Sequence, residues 1–514
     1  MWVTVSIMGL YMYGLGTKGG PSGIPKWAQA NESPETVTTD RFPAPVRTHP
    51  RFVALLGTAA MGTYLLIIAG TTTAVTDASS ACSTWPACGG QWLVPLEPSQ
   101  LLVAWGHRVV ALVVGLLLFV TGLVAWRGPT TRRVRTALAL PIALFPVQVG
   151  IGAFAATAGV GPYTRAAHLS IGIAIFASTV VGLAWTLERK TAVDEDETAA
   201  EGPRPDPDPL PDESATTSPA VPDEPMARLR RKASAYVELM KPRLMWLLSL
   251  VAAASMALAA GPDLSASVIV KTLGGGVLAI GASGTFNHVL ERDVDRKMAR
   301  TADRALAVDL VSVRNAVAFG VILTAASLAL FASINLLAAG LGLTAIVFYS
   351  VIYTLVLKPN TVQNTVIGGA AGALPALIGW AAVTGSLGVP GLALGALIFL
   401  WTPAHFYNLA LAYKDDYARG GFPMMPVVRG DAVTRKHITL YFAATLSAAT
   451  VLTAVGGLGP LYALASVGLG SVFLWAIVRL HWERTESAAL RAFHASNAYL
   501  GIVLVAIVVD AMAL

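Results

Sequence analysis

Charged residues and cysteines are both scarce in this sequence. Only 13% of the 514 residues are Asp, Glu, Lys or Arg, whereas 55% are hydrophobic, and only two are cysteine. Such a composition excludes an ordinary soluble domain. Two cysteines are too few for a zinc site unless other ligands join them. The net charge of +6 is not gathered on a soluble basic domain, which argues against nucleic acid as a partner.

Apolar runs of about twenty residues recur along the chain, and each is long enough to cross a bilayer as a helix. The weak alternation expected of a membrane barrel is missing. We therefore expect an all-α, polytopic membrane protein. Four early spans are predicted near residues 52–74, 101–126, 136–157 and 164–186. Nine more are predicted near residues 244–261, 265–286, 313–331, 334–356, 363–384, 390–411, 437–457, 460–480 and 494–513.

A polar segment separates the two groups of spans. Residues 187–235 are rich in Pro, Asp, Glu, Ser and Thr, so they are predicted to form a disordered linker between two membrane domains, 51–186 and 236–514. Residues 1–50 are predicted to be an N-terminal extension. Its apolar start is short and lacks a basic region and a cleavage motif, so it makes a poor signal peptide, and a wrongly chosen start codon is one explanation.

Basic residues follow every second predicted span, for example Arg127 to Arg135, Arg228 to Lys232 and Arg479 to Arg491, whereas the alternate loops have almost none. The positive-inside rule then predicts a cytoplasmic N-terminus, an external C-terminus and a multi-pass location in the cell membrane.

The densest run of charge is NHVLERDVDRKMARTADR, residues 287–304, at the end of the sixth predicted span. Asn287, Glu291 and Asp295 are four residues apart, so on a helix they form one stripe. The stripe is repulsive unless a cation holds it, and Mg²⁺ prefers oxygen ligands and is often shared with substrate phosphates. Basic side chains suited to a diphosphate surround the stripe: Arg292, Arg296, Lys297, Arg300 and Arg304.

A second charged cluster, YKDDYARGGFPMMP, follows the tenth predicted span on the same side of the membrane. It contains Lys414, Asp415, Asp416 and Arg419. Two acidic clusters at one membrane face suit two metal ions around one diphosphate. Ordinary solvated loops are the alternative interpretation.

Both clusters resemble those of the haem O synthases, the protohaem IX farnesyltransferases of the intramembrane prenyltransferase superfamily. The resemblance covers about residues 235–514 and includes NHVLERDVDRKMARTADRAL, LKPNTVQNTVIGGAAGALPALIGWAAVTG and FLWTPAHFYNLALAYKDDYARGGFPMMPVV. The W-T-P-x-H-F segment followed by D-D-Y and P-M-x-P distinguishes this subfamily. The chain departs from the family pattern at Glu291, Ala305, Ala404 and Arg419, where members usually carry Asp, Pro, Pro and a carboxylate.

The resemblance implies that farnesyl diphosphate binds with its head on Mg²⁺, and that a vinyl group of protohaem IX attacks the allylic cation. The implied metal-binding and catalytic residues are Asn287, Glu291, Asp295, Asp415 and Asp416. The implied substrate-binding residues are Arg292, Arg296, Lys297, Arg300, Lys358, His405 and Lys414. His405 lies within the tenth span, where an ionisable side chain is a functional candidate, and both a haem contact and a helix–helix hydrogen bond are open. His288 is expected in a loop.

Two histidines stand out among the first four spans. His107 and His168 lie a few residues inside the second and fourth spans, which both run from the outside inward, so they are predicted at equal depth. Two such histidines in a four-helix bundle suit bis-imidazole ligation of haem iron. The cysteines, Cys82 and Cys88, lie in the first external loop, where an oxidising environment favours a disulfide.

This half of the chain resembles the haem A synthases over about residues 50–186, in GTTTAVTDASSACSTWPACGG, WGHRV and RAAHLSIG. Common members have eight spans in two such halves, whereas this chain has one. Members usually carry Glu three residues before the first histidine, where Ala104 stands here. The resemblance therefore implies haem as a ligand, and leaves open whether this half oxidises haem, hands it over or needs a second copy.

The leading hypothesis is thus a fused haem-modifying enzyme in the lipid bilayer, whose partners are farnesyl diphosphate and protohaem IX, with a homo-oligomer possible. One alternative is a prenyltransferase acting on a quinone precursor or a lipid alcohol. Another makes the first half only a haem-binding or electron-transfer module. A transporter would place charges near the bilayer midplane, whereas here they cluster at one edge.

Overall fold

The computed structural model of the protein describes residues 50–95, 97, 99–159, 161–199 and 224–513, and for residues 189–199 it describes the backbone alone. Residues 1–49 of the predicted extension and residues 200–223 of the predicted linker lie outside the described residues. Within the described part, regular structure is helical apart from one isolated bridge between Cys88 and Gln91.

The helices are α1 Pro50–Val75, α2 Ser99–Arg127, α3 Arg132–Ala158, α4 Pro162–Ala199, α5 Pro225–Leu239, α6 Pro242–Ala260, α7 Ala266–Asp295, α8 Val313–Ala332, α9 Leu336–Val347, α10 Lys358–Asn360, α11 Asn364–Thr384, α12 Val389–Ala412, α13 Lys414–Arg419, α14 Met425–Arg429, α15 Asp431–Gly456, α16 Pro460–Glu483 and α17 Glu486–Ala513. A π-helical stretch, Phe348–Leu357, joins α9 to α10. Short 3₁₀ turns lie at Ala78–Ala81 and Gly261–Asp263.

Thirteen of the described helical segments are long and apolar enough to cross a membrane. They match the thirteen predicted spans in number and order, so the predicted all-α, multi-pass membrane fold is confirmed. One span is composite, because α9, the π-helical stretch and α10 together form Leu336–Asn360. Polar side chains start several helices: Thr131, Ser312 and Asn335 each accept a hydrogen bond from the backbone amide three residues on.

The predicted disordered linker, residues 187–235, was too long at both ends. Helix α4 continues to Ala199, and α5 already begins at Pro225. Good helix formers in both segments explain the difference, because a polar composition alone does not prevent a helix. In α5, Ala235 and Leu239 are buried against the loop after α7.

A chain that crosses a membrane in successive spans must alternate in direction, so the order of the thirteen spans groups their ends on two sides. The side that holds the start of α1 also holds the last residues of α7, α10, α12 and α16. The opposite side holds the starts of α2 and α4. Asn287 and Asp415 therefore belong to one side of the membrane, and His107 and His168 lie nearer the other.

Helices α1–α4 form a bundle in which α1 contacts α2 and α4, and α3 contacts α4. This bundle packs through α1 and α4 against α15 and α16. Polar contacts also cross the junction: for example, the Tyr64 hydroxyl lies 2.6 Å from Ser466 Oγ, and Lys436 Nζ lies 2.5 Å from Glu188 Oε1. The two groups of helices thus form one packed unit.

Small residues bring the helices around the acidic stripe close together. A Cβ added at Gly379 of α11 would lie 2.4 Å from the carbonyl oxygen of Ala252 in α6. A Cβ at Gly284 of α7 would lie 2.8 Å from the carbonyl oxygen of Leu239. Only glycine fits at such contacts. Gly379 therefore lets α11 pack closely against α6, and Gly284 lets α7 pack closely against the end of α5.

Candidate functional site

The predicted stripe exists on α7. Asn287, Glu291 and Asp295 occupy successive turns, and their side chains are buried, with exposed fractions of 2%, 5% and 1%. Burying two carboxylates without partners would be costly, so opposite charges must face them.

Each member of the stripe contacts a cation from a different segment. Lys241 donates a hydrogen bond to Asn287 Oδ1. Lys358 Nζ lies 2.5 Å from Glu291 Oε1. A single nitrogen of Arg304 lies 2.9 Å from both carboxylate oxygens of Asp295. We call these six side chains the α7 cluster.

A hydrogen-bond chain fixes the orientation of the Asn287 amide. Its Nδ2 donates to Thr354 Oγ1 at 3.1 Å, and the Thr354 hydroxyl donates to the carbonyl oxygen of Tyr349 at 2.9 Å. The Thr354 hydroxyl has one proton, which it donates to the carbonyl, so its oxygen must accept from the Asn287 NH₂ group. Asn287 Oδ1 therefore faces Lys241. Thr354 and Tyr349 lie in the π-helical stretch, a feature often found at functional sites.

Lys241 and the π-helical stretch were both missed from the sequence. Lys241 precedes Pro242 and adopts a left-handed conformation with φ of 56°, which is uncommon outside glycine. Its Nζ lies 5.7 Å from the centre of the Tyr349 ring. Burial lowers the pKa of Lys241 to about 8, a shift that the neighbouring carboxylates only partly offset. The signal for a buried lysine was weak, because K-P-R reads as an ordinary helix start.

The second acidic cluster lies against the first. The carboxylate of Asp416 accepts hydrogen bonds from the backbone amides of Ala299 and Arg300, both at 3.1 Å, and contacts Arg419. Burial opposes ionisation, but these bonds outweigh it and hold the pKa of Asp416 below its usual value. Asp416 therefore ties α13 to the loop after α7, whereas neighbouring Asp415 is exposed.

Most of the predicted substrate-binding cations do not join the α7 cluster. Arg292 and Arg296 pair with Asp293 and Asp309 instead, because they follow members of the stripe by one residue and so face another side of α7. The others lie elsewhere: Lys297 is exposed, Arg300 lies over the Tyr413 ring, and Lys414 pairs with Asp431 at 2.8 Å. Of that predicted set, Lys358 alone contacts the stripe in the described part of the chain.

Two histidines in this half of the chain have defined settings. His288 is a buried residue within α7, so its expected place in a loop was wrong, because α7 continues to Asp295. His405 lies in α12, where its ring stacks between Trp401 and Phe493 at centroid distances of 4.2 and 4.3 Å.

The stripe offers the donor chemistry of a magnesium site. Two carboxylates and an oriented amide oxygen are the ligand types that Mg²⁺ prefers. No group of three His, Cys, Asp or Glu side chains forms a metal cluster among the described residues, so a metal here needs the Asn287 amide or other oxygen ligands as well. The facing cations suit a diphosphate, which binds metal on one side and Lys or Arg on another. The residues present therefore fit both groups.

The first bundle holds the second predicted site. The Nδ1 atoms of His107 and His168 are buried and have no hydrogen-bond partner. Glycines face both rings: a Cβ at Gly70 would lie 2.9 Å from His107 Cε1, and one at Gly152 would lie 3.3 Å from His168 Cε1. A buried ring nitrogen without a partner is costly unless a ligand satisfies it. The two histidines therefore fit a haem.

A loop closes over this end of the bundle. Cys82 and Cys88 form a disulfide, and Ala104 of α2 packs against them. Arg108, next to His107, donates hydrogen bonds to the carbonyl oxygens of Cys82, Thr84 and Pro86 at 2.7 to 3.1 Å. The loop is thus fastened to the helix that carries His107.

Family models match both parts of the chain. Residues 247–501 match the UbiA prenyltransferase family, and residues 97–205 match the COX15-CtaA family, described as cytochrome oxidase assembly protein. The first match contains the α7 cluster apart from Lys241, and the second contains His107 and His168.

Relatives match nearly the whole chain. A protein of Halobacterium salinarum named protoheme IX farnesyltransferase is 59% identical over 472 residues, which cover 90% of this chain and 99% of that protein. One of Haloarcula marismortui with the same name is 60% identical over 463 residues, with the same coverage. One of Roseiflexus castenholzii, again with this name, is 34% identical and covers 91% of this chain and 86% of its own length.

Solved structures are more distant. A digeranylgeranylglyceryl phosphate synthase is 16% identical, with a TM-score of 0.48 over 55% of this chain and 100% of its own. A UbiA homolog from Archaeoglobus fulgidus bound to GPP and Mg²⁺ is 19% identical, with a TM-score of 0.43 over 53% of this chain and 99% of its own.

The relatives span both family matches, because their alignments leave only about a tenth of this chain uncovered. A UbiA prenyltransferase domain and a COX15-CtaA domain are therefore both present in one multi-pass membrane protein. The chain belongs to the UbiA prenyltransferase family and, within it, to the family of proteins named protoheme IX farnesyltransferase.

Proposed function

We propose that this chain transfers the farnesyl group of farnesyl diphosphate to a vinyl group of protohaem IX, giving haem O. The observation that carries the proposal is the α7 cluster, in which a buried stripe of oxygen ligands faces three buried or half-buried cations at one membrane edge. The names and identities of the relatives supply the acceptor.

Asn287, Glu291, Asp295 and Asp415 would hold Mg²⁺, which when bound neutralises charge on the diphosphate as it leaves. The cations that face the stripe have the complementary task. Lys241, Lys358 and Arg304 contact the stripe, and in this proposal they bind the diphosphate oxygens of the substrate. Asp416 acts through the loop it clamps, which is a different role from that of a metal ligand.

The reaction breaks the bond between the first farnesyl carbon and the diphosphate oxygen, and the electron pair leaves with the diphosphate. The vinyl group then bonds to that carbon, and water adds to the cation formed on the haem and loses a proton. Stabilising the leaving group is the main contribution expected from the chain, because charge develops there in the transition state. The apolar tail, at roughly 0.8 kcal/mol per buried CH₂, stays within the helices.

The distribution of Lys and Arg supports a cytoplasmic N-terminus, so the α7 cluster would face the cytoplasm, and an external C-terminus in the cell membrane. The first bundle would then hold haem between His107 and His168 near the outer side. Oxidation of a haem methyl group is a second candidate activity of this bundle, favoured by the family match over residues 97–205.

Expression of the whole chain in cells that lack haem O and haem A tests these proposals. Extracted haem O would support farnesyl transfer, and haem A would add the second activity. Protohaem alone would contradict the proposed function.

In the purified chain, Asp295→Ala and Asp415→Ala should nearly abolish Mg²⁺-dependent transfer while the protein still inserts, and unchanged turnover in both would reject this site. A prenylated quinone precursor or lipid alcohol in place of haem O would favour the alternative acceptors.

A further inference from the structure

His405 is held on three sides in α12. Its ring stacks between Trp401 and Phe493, with interplanar angles of 14° and 28°. Its Nδ1 lies 2.7 Å from Ser496 Oγ of α17, and Trp401 Nε1 donates to the carbonyl oxygen of Ser496 at 3.1 Å. The ring can therefore neither tilt nor rotate without breaking these contacts.

The bond to Ser496 also fixes the tautomer of His405. The Ser496 hydroxyl donates its only proton to the carbonyl oxygen of Phe493 at 2.7 Å. Ser496 Oγ must then accept from His405, which places the ring proton on Nδ1. In the neutral ring, Nε2 therefore carries a lone pair, and it has no hydrogen-bond partner among the described residues. An oriented neutral imidazole of this kind is a good iron ligand.

His405 lies at the level of the α7 cluster. It is seven residues from the end of α12, and Asn287 is eight residues from the end of α7, so both are roughly 10 to 12 Å from ends that share one side of the membrane. The adjacent Phe406 packs in one cluster with Val294 and Met298, which flank Asp295. The helix that carries His405 and the helix that carries the stripe thus both contribute side chains to one hydrophobic cluster, through Phe406 and Val294.

We propose that His405 Nε2 is an axial ligand of the iron of the acceptor haem, and that it positions the porphyrin for farnesyl transfer. The proposal rests on the proposed function. It makes His405 a substrate-binding residue and Ser496 a positioning residue. Histidine nitrogen is a common axial ligand of haem iron. A role limited to the helix–helix hydrogen bond would use Nδ1 only, and it would not explain why Nε2 is left with a lone pair and no partner among the described residues.

The test uses the full chain with His107→Ala and His168→Ala, so that the first bundle contributes no iron–histidine signal. This background is titrated with protohaem IX and followed by absorption and electron paramagnetic resonance. We expect a histidine-ligated spectrum that His405→Gly abolishes and that added imidazole restores. His437→Gly is the matched control, because His437 lies at similar depth but bonds Nδ1 to Val433 of its own helix at 2.8 Å. A full histidine-ligated spectrum in His405→Gly, or its loss only in His437→Gly, would overturn the proposal.

Two further variants guard against misfolding. His405→Gln keeps a side chain that can bond Ser496 but has no imidazole, so it should lose the iron–histidine signal, and retention of that signal would overturn the proposal. Ser496→Ala should weaken haem affinity roughly tenfold, as loss of an outer-shell partner usually does, with the KM for farnesyl diphosphate unchanged. Haem O formation by the wild-type chain tests the proposed function separately. If the wild-type chain makes haem O and the His405 variants keep the signal, only the present inference fails.

Discussion

Glu291 and Lys358 form a buried ion pair across the α7 cluster, with 2.5 Å between Oε1 and Nζ and side-chain exposures of 6% and 11%. Lys358 Nζ also lies 4.2 Å from the centre of the Phe422 ring. The pair links α7 to the end of the π-helical stretch. In a low-dielectric setting, removing one partner leaves the other charge buried and uncompensated.

We therefore expect Lys358→Met to lower the free energy of unfolding by about 3 to 5 kcal/mol, and Glu291→Gln to do so by a similar amount. The double variant should recover much of that stability, because both charges are gone. All three variants should lose farnesyl transfer, because Lys358 is proposed to bind the diphosphate and Glu291 the metal. Thermal unfolding in detergent and turnover are the measurements. Additive losses of stability in the double variant would contradict the prediction.

Lys241 should give the reaction a basic limb in its pH profile. Because burial lowers the pKa of Lys241 to about 8, the free chain loses this cation as pH rises above 8. The profile of kcat/KM reports groups of the free enzyme, so kcat/KM for farnesyl diphosphate should fall roughly tenfold per pH unit there. Lys241→Arg keeps its charge at these pH values and should remove the limb. A limb that persists in Lys241→Arg assigns it to another group.

Stability should move in the opposite direction over the same range. The unfolded chain keeps the Lys241 proton up to about 10.5, whereas the folded chain releases it near 8, so the unfolded state binds more protons between these values. The contribution of Lys241 to stability therefore rises with pH between about 8 and 10.5. Lys241→Met should remove that slope, which urea or thermal unfolding at several pH values would measure.

Asp415 and Asp416 should separate a metal ligand from a structural clamp. Asp416→Asn removes charge-assisted acceptors for two backbone amides and for Arg419, so we expect a loss of about 1 to 3 kcal/mol at pH 7. Because the pKa of Asp416 is depressed in the fold, its contribution is full above the unfolded pKa and disappears as pH falls through the folded pKa. The wild-type and Asp416→Asn curves should then converge in acid.

The neighbouring substitution is the matched control. Asp415 is exposed, so Asp415→Asn should leave stability within about 0.5 kcal/mol of the wild type and should reduce Mg²⁺-dependent turnover strongly. If Asp416→Asn impaired turnover without any change in stability, the clamp role would be wrong.

Periodicity and charge predicted the membrane fold and the stripe because both depend on local spacing. Thirteen apolar runs and an i, i+4, i+8 pattern are visible in one dimension, and the structure has both. The partners of the stripe depend on contacts 46 and 67 residues away, from Lys241 and Lys358. The residues next to Lys241 in the sequence do not distinguish it from a solvated lysine, because only the packing of α5 and α6 against α7 brings it to Asn287. Likewise Arg292 and Arg296 looked favourable by sequence distance, although their helical positions turn them away from the stripe.

Glycines beside the two histidines of the first bundle provide the sharpest test of haem binding there. Gly70→Ala would place Cβ 2.9 Å from His107 Cε1, so the ring must shift and a bis-histidine haem spectrum should weaken or change. Gly57→Ala lies on the same helix with no heavy atom within 4 Å of the new Cβ, so it should preserve the spectrum. On α3, Gly152→Ala, whose Cβ lies 3.3 Å from His168 Cε1, should have a smaller effect, and Gly150→Ala, with open space, should have none. Low-spin haem content per protein, measured by absorption in the purified full chain, decides the matter. Equal spectra in Gly70→Ala and Gly57→Ala would show that His107 does not ligate the iron in the orientation seen here.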